Sequence, residues 1–488
     1  MSQILSFRRW CWRVCLLGFL CFLDPNSVEG SYAIYVGRNL TADGSVFLAG
    51  YGDEPSSHWL EIVPPREHPA GSEIVVGVDH RANFPGELFR IPQVPATFGY
   101  IAMNYSAFEG FPAPLMNGGL NEWHVAARDV WSPSREELRR ITPNPQRGLN
   151  YSDLSRIALE RAKTAREAVR VIGDLMNAHG YATYGGNSHL FADAEEGWVV
   201  INFAGGKRLW VAERLGPDDI RVSRPGYIGA VPADFQSRSN FMGSPNLISF
   251  AVEQGWHKEG ESFNVNKVYG DGQMRHAAVA RIEGELRAKA GKITLADVIA
   301  AVRDPQLTGD SAGYGQVAHL RKGTRRELGI LWVAPASPLA APFIPYWLGV
   351  KDVPPEFKRH RYLTEDEAAK FMGKEHQGLE STRYAFQEFK RLFYLVKEHQ
   401  NKFLPEVTEA FETLERRLMN EQQSVEKTAS ALFTAGEPDL AREYLTYYSQ
   451  TEALNALRLG QTLAESIEAR TKAFYGIRQP GVPSRTQD

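Results

Sequence analysis

Three serines lie where a hydroxyl could be activated. Ser31 opens the run "SYAIYVG", directly behind the polar stretch "DPNSVEG". A serine hydroxyl is a poor nucleophile without a base beside it. If the chain is cut before Ser31, that one residue supplies both hydroxyl and base. A free α-amine titrates at about 7.7–8.0, so a useful fraction is neutral near neutral pH. It can accept the hydroxyl proton, directly or through one water, and later return it to a leaving group. The alternative is that Ser31 merely follows a cleavage site, since many mature secreted proteins begin with Ser by chance. Ser311 stands in "GDSAG", which matches the G-x-S-x-G nucleophile elbow. An elbow needs a strand before the serine and a helix after it. Here helix-like "TLADVIAAVRD" precedes and strand-like "YGQVAHLR" follows, so a loop serine is the better reading. Ser424 and Lys427, in "SVEK", have the S-x-x-K spacing but lie in a long polar helical run and read as a solvated face. The 12 histidines are scattered, with no HExxH, and no phosphate-binding glycine loop occurs in a suitable context. Neither a metal nor a cofactor is expected.

The cut before Ser31 has its own signal. Arg8, Arg9 and Arg13 precede an apolar run, Val14 to Leu23. That run is too short to span a bilayer and right for the core of a secretory signal. Val28 and Gly30 suit the small-residue positions of a signal-peptidase site. Residues 1–30 are therefore expected to be a signal peptide and the mature protein to be exported, periplasmic or secreted, with no stable membrane anchor. The alternative is an uncleaved anchor. All three cysteines, Cys11, Cys15 and Cys21, lie within this segment. The mature chain would have no disulfide, no thiolate metal site and no thiol nucleophile. Covalent catalysis would have to use oxygen or nitrogen. The 488 residues carry a formal net charge of −3 and no long basic block, so no nucleic-acid partner is expected.

The elements that must position Ser31 can be read from periodicity. Short β-rich runs ("SYAIYVG", "SVFLAG", "HWLEIV", "EIVVGV", "GYIAMN", "GLNEWHVAARDVW") are separated by Gly, Pro, Asp and Asn as far as Trp131. Two amphipathic helices follow, meeting at Lys163 and Thr164. Ser152 or Asp153 can cap the first, Thr164 the second, and Gly180 ends it. A second strand cluster comes next, with hairpin turns at "ADAEEG" and "AGGKR". Helical patterns at 245–255, 272–290 and 294–303 precede two late strands. From about Leu363 the sequence turns to long amphipathic helices, in which Tyr384, Phe386, Phe389 and Phe393 form a stripe read as core. This order predicts an α+β fold: two sheets between helices, with a C-terminal helical extension. The expected divisions are a catalytic unit over 31–355, a helical region over 356–478 and a flexible tail over 479–488.

"SYAIYVGRNLTADGSVFLAGYGDEP" resembles the start of family C69 peptidases, which are dipeptidases of the N-terminal-nucleophile (Ntn) hydrolase superfamily. The shared residues are Val36, Gly37, Arg38, Thr41, Asp43, Gly44, Ser45 and Asp53. Further likeness lies in "GGLNEWHVAARD", "ERAKTAREAVRVIGDLMNAHG", "HLFADAEEGWVV" and "RRELGILWVAPASPLAAPFIPYW", in the family's order. The resemblance covers about 31–350. It implies a four-layer αββα sandwich and an amide substrate, a dipeptide or small peptide. It puts Ser31 where the family has its nucleophilic Cys. It also implies that Asp53 orients the amine or stabilises it as an ammonium, that Asn121 donates to the oxyanion, and that Arg281 binds a substrate carboxylate. The residue types alone equally allow a turn carboxylate, a strand-end hydrogen bond and a surface arginine. Where the family reads "RNED" this chain reads "GYGD" (Gly50 to Asp53), and where the family has an Asn-containing segment it reads "SRPGYIG". Substrates other than dipeptides are thus allowed. An esterase using Ser311 and a peptide-binding relative without turnover are the competing readings.

Overall fold

A computed structural model describes residues 31–53, 56–106, 108–272, 275–309, 312–359 and 383–476. The expected signal peptide and terminal tail lie outside these residues. Two antiparallel sheets carry the fold. The first has six strands in the order Ile220–Ser223, Tyr32–Val36, Val46–Asp53, Ala312–Leu320, Ile330–Ala334 and Ile344–Trp347. The second has eight: Phe241–Gly243, Trp210–Leu215, Gly197–Asn202, Asn187–Ala192, Ala126–Trp131, Leu115–Asn121, Tyr100–Tyr105 and His58–Val63.

Tyr32–Val36 reads YAIYV and is buried at every position, the pattern of a strand covered on both faces. Alternation sends its residues to two environments. Tyr32 reaches the helical side, where its hydroxyl donates to Ala301 O at 2.7 Å. Tyr35 points the other way and donates to Gly216 O at 3.0 Å, just past a strand of the second sheet. The first sheet thus packs against Ala277–Arg287 and Leu295–Val302 on one face and against the second sheet on the other. The outer face of the second sheet is covered by Tyr151–Arg161 and Ala165–His179, with Leu154, Ile157, Ala168, Val169 and Ile172 in the interface. The expected hairpins are present: 187–192 pairs with 197–202, and 197–202 with 210–215.

Thr164 and Gly180 end their helix as expected: Thr164 Oγ1 accepts from Glu167 N at 3.1 Å, and Gly180 takes φ 88°. The first cap differs. Asn150, not Ser152 or Asp153, occupies the N-cap, and Asp153 closes a reciprocal capping box with it. All three residue types can cap, so spacing alone left the choice open.

His189 is fully buried beneath these helices. Its Nε2 donates to Tyr151 O at 3.0 Å, and Nδ1 has no partner among the described residues. Burial pulls its pKa down to about 4. The unfolded chain then binds a proton that the folded chain refuses, so stability falls as pH drops from about 6.5 towards 4. Denaturant titrations across this range are expected to show a loss of about 3 kcal/mol from this group, and a His189→Gln chain a flatter profile.

The C-terminal residues form three helices, Ala385–Glu398, Gln400–Thr434 and Pro438–Tyr475. The stripe of Tyr384, Phe386, Phe389 and Phe393 is buried, as a core reading requires. Among the described residues, two bidentate ion pairs fasten these helices to the sheet region. Arg303, at the end of Leu295–Val302, pairs with Glu415 through Nη2–Oε1 at 2.5 Å and Nη1–Oε2 at 3.1 Å. Arg321 pairs with Glu426 at 2.6 and 2.8 Å. Among the described residues no helix is long and apolar enough to cross a membrane.

Candidate active site

Ser31 stands one residue ahead of the strand Tyr32–Val36, next to the middle of the first sheet, and is 7% exposed. The backbone N–H of Asp53 donates to its Oγ at 3.2 Å. The registers on both sides are known: Tyr32 faces Tyr51, and Ala33 faces Ser223. Continued by one and two residues, they set Ser31 between Gly52 and Pro225. By alternation its side chain shares the face of Ala33 and Tyr35, which looks towards the second sheet. Ser31 therefore lies at one end of the space between the sheets.

Polar groups collect at that end. Gly226 N donates to Ser132 Oγ at 2.9 Å. A Cβ on Gly226 would lie 2.2 Å from the Ser188 Cβ, so only glycine lets the 224–226 segment approach the second sheet so closely. Arg128 is fully buried between the sheets and donates to Asn117 Oδ1 at 3.1 Å. Gln316, paired with Gly50, bridges the sheets by donating to Ala127 O at 3.0 Å. Beside Pro225 lies a small, partly open cleft lined by Pro133, Ile201, Tyr227 and Arg275 among others.

The opposite face below Ser31 is hydroxyl-rich. Arg224, 4% exposed, donates from Nη1 to Leu307 O at 2.7 Å and to the Tyr51 hydroxyl at 3.3 Å. Tyr51 also donates to Leu307 O. Burial raises the pKa of Tyr32 and of Tyr51, so both stay protonated and serve as donors. Burial, and after it the charge of Arg224, lowers that of His276.

The structure places Asp53 beside Ser31 but separates Asn121 and Arg281 from the roles expected of them. Both Asn121 amide hydrogens are taken, by Leu159 O at 2.9 Å and Ala162 O at 2.7 Å. Its Oδ1 accepts from Trp123 N and Val125 N. Asn121 closes a turn and fastens the end of Tyr151–Arg161, with no donor left for an oxyanion. Arg281 lies in the helical layer and is ion-paired with Asp304 at 2.6 Å and Glu285 at 2.9 Å, which leaves its charge no call for a substrate carboxylate. Ser311 lies outside the described residues. Its flanking elements run helix, Leu295–Val302, then strand, Ala312–Leu320. That is the reverse of a nucleophile elbow, and both large sheets are antiparallel, so the frame an esterase built on Ser311 needs is not there. Ser424 and Lys427 are exposed on Gln400–Thr434.

Arg224 and Arg275 were missed from the sequence. Their one signal was position: Arg224 directly follows a strand and precedes a proline, and Arg275 lies just ahead of the helix Ala277–Arg287. No group of three or more metal-ligating side chains occurs among the described residues.

The model of peptidase family C69 matches residues 32–280. A probable dipeptidase of Salmonella dublin is 27% identical over 241 residues, 48% of this chain and 51% of that protein. A probable dipeptidase B of Streptococcus pyogenes serotype M1 is 27% identical over 266 residues, 52% of this chain and 49% of that protein. The chain spans about half the length of the curated relatives it matches. A mutant of the conjugated bile acid hydrolase from Clostridium perfringens aligns over 62% of this chain and 89% of its own, at 12% identity and a TM-score of 0.32, too low to carry an argument.

Proposed function

Since the chain belongs to peptidase family C69, we propose that it is an exported Ntn hydrolase that cleaves the amide bond of dipeptides or small peptide-like substrates through an acyl-Ser31 intermediate. The fold proposed with it is the four-layer αββα sandwich of that superfamily. The observation that carries the reading is the position of Ser31: ahead of an interior, wholly buried strand, with the Asp53 N–H on its Oγ at 3.2 Å.

In the proposed reaction, removal of residues 1–30 frees the Ser31 amine. The neutral amine takes the Oγ proton as Oγ attacks the substrate carbonyl. The tetrahedral intermediate collapses, the C–N bond breaks, and the amine's proton passes to the departing nitrogen. Water then attacks the acyl-serine, gives its proton to the amine, and releases the acid with Ser31 restored. Each step conserves atoms and charge, and none needs a metal. Asp53, across the strand pair, supplies negative charge that favours the ammonium between transfers.

The experiment that tests this is N-terminal sequencing of the mature protein together with a dipeptide hydrolysis assay. Ser31 is expected as the first residue. A Ser31→Cys chain, with the thiol as nucleophile, is expected to keep activity and to become sensitive to alkylation, because the mature chain has no other cysteine. A mature chain starting elsewhere ends the proposal.

A second reading is favoured by Gly50. It has φ 145°, and a Cβ there would lie 2.1 Å from Tyr32 O. The basic residue that the family resemblance places at this point therefore has no room here, which suits a peptide binder without turnover. Correct processing without hydrolysis of any of a broad panel of amides would select it.

A further inference from the structure

The cation opposite Tyr32, on the helical side of the strand that Ser31 precedes, is left unbalanced. Arg224 is 96% buried by its 4% exposure, and its described partners are a carbonyl and a phenol. None of the ion pairs among the described residues includes it, and its Nε has no hydrogen-bond partner. Tyr32 and Tyr51 stay protonated and give it no anion. A buried guanidinium without a carboxylate is costly, and charges kept at such cost concentrate at functional sites. Arg281 and Arg303 are the contrast: both are satisfied by carboxylates.

The register explains where this charge acts. Ala33 faces Ser223, so Arg224 flanks Tyr32 and its guanidinium lies under the start of the strand that Ser31 precedes. We propose that Arg224 is a positioning residue that holds the Ser31 α-amine in its neutral, proton-accepting form against the opposing charge of Asp53. This rests on the reading of Ser31 as the N-terminal nucleophile. The charged and titratable groups on the elements packed around this strand end are Asp53 and Tyr51 from Val46–Asp53, Arg224 past Ile220–Ser223, Asp304, His276 and the Arg275–Glu283 pair from the helical side, and Arg128 from the second sheet. Asp304 is paired with Arg281. Arg224 has no carboxylate partner among the described residues, so its charge is the one left uncompensated on the helical side. A nearby cation disfavours the ammonium and lowers the amine pKa; a nearby carboxylate raises it.

The test is the pH profile of kcat/KM for a dipeptide, with N-terminal sequencing of each variant. A base that must be neutral gives a rising limb at its pKa. Arg224→Met is expected to move the limb up by about one pH unit. That is a tenfold loss on the acid side and none above the limb. Arg224→Lys is expected to leave the limb in place, and Asp53→Asn to move it down. An unmoved limb in Arg224→Met, or equal shifts in Met and Lys, overturns the role of Arg224 while leaving Ser31 as nucleophile. If Arg224→Met does not fold, Arg224→Gln replaces it, and the wild type still decides: a limb at about 9 or above, as Asp53 acting alone would give, overturns it. A mature chain that does not start at Ser31 overturns the functional reading, and this role with it.

Discussion

A Ser31→Ala chain is expected to fold normally and to lose dipeptide hydrolysis by a factor on the order of 10³ to 10⁶, the scale on which removal of a covalent nucleophile acts. The fold survives because Oγ makes a single described hydrogen bond, the 3.2 Å contact from Asp53 N. The strand it precedes is held by full ladders on both sides, to Val46–Asp53 and to Ile220–Ser223. Release of free amino acid measures activity, and circular dichroism confirms the fold. A Ser311→Ala chain is the control and is expected to act like the wild type. Loss confined to Ser311→Ala, or survival of Ser31→Ala within tenfold, would move the nucleophile elsewhere.

The second large effect is on stability. Glu415 is 2% exposed and Arg303 6%. Their fork-to-fork pair is completed by Phe343 N donating to Glu415 Oε1 at 2.8 Å and by Arg303 Nε donating to Pro338 O at 2.8 Å. Glu415→Ala strands a buried guanidinium and a buried N–H together, which costs about 3–5 kcal/mol. Replacing both partners with apolar groups, Arg303→Met with Glu415→Leu, removes the stranded charge and is expected to recover most of that loss. Urea unfolding of the single and double variants reads the difference. A single variant within about 1 kcal/mol of wild type would show that water reaches the pair.

Much of the fold was legible because local rules and packing agree. Buried strands read as unbroken apolar runs, hairpin turns carry Gly and Asp, and Thr164 and Gly180 bracket their helix by type. The site was legible only where one residue carries the chemistry alone. Ser31 stands out because hydroxyl and amine belong to the same residue. Asn121 and Arg281 misled because sequence shows which donors a residue has, not which acceptors already hold them. Arg224 was invisible for a related reason: only the pairing of 220–223 with 33–36 brings it under Ser31, and nothing in "SRPG" announces that no carboxylate waits for it.

Gly50 makes that arrangement a ratchet. Its φ of 145° lies where side chains are rarely tolerated, and its missing Cβ is where Tyr32 O sits. Putting an arginine back at 50 by one substitution would prise apart the strand pair that presents Ser31, so the revertant loses its nucleophile's footing before it gains a cation. Redesign towards other substrates therefore has to start from the neighbouring strand end, at 224–227. Within it Gly226 has a barrier of its own, since a Cβ there would meet Ser188, so the half-buried Tyr227, which lines the cleft, is the side chain to exchange first.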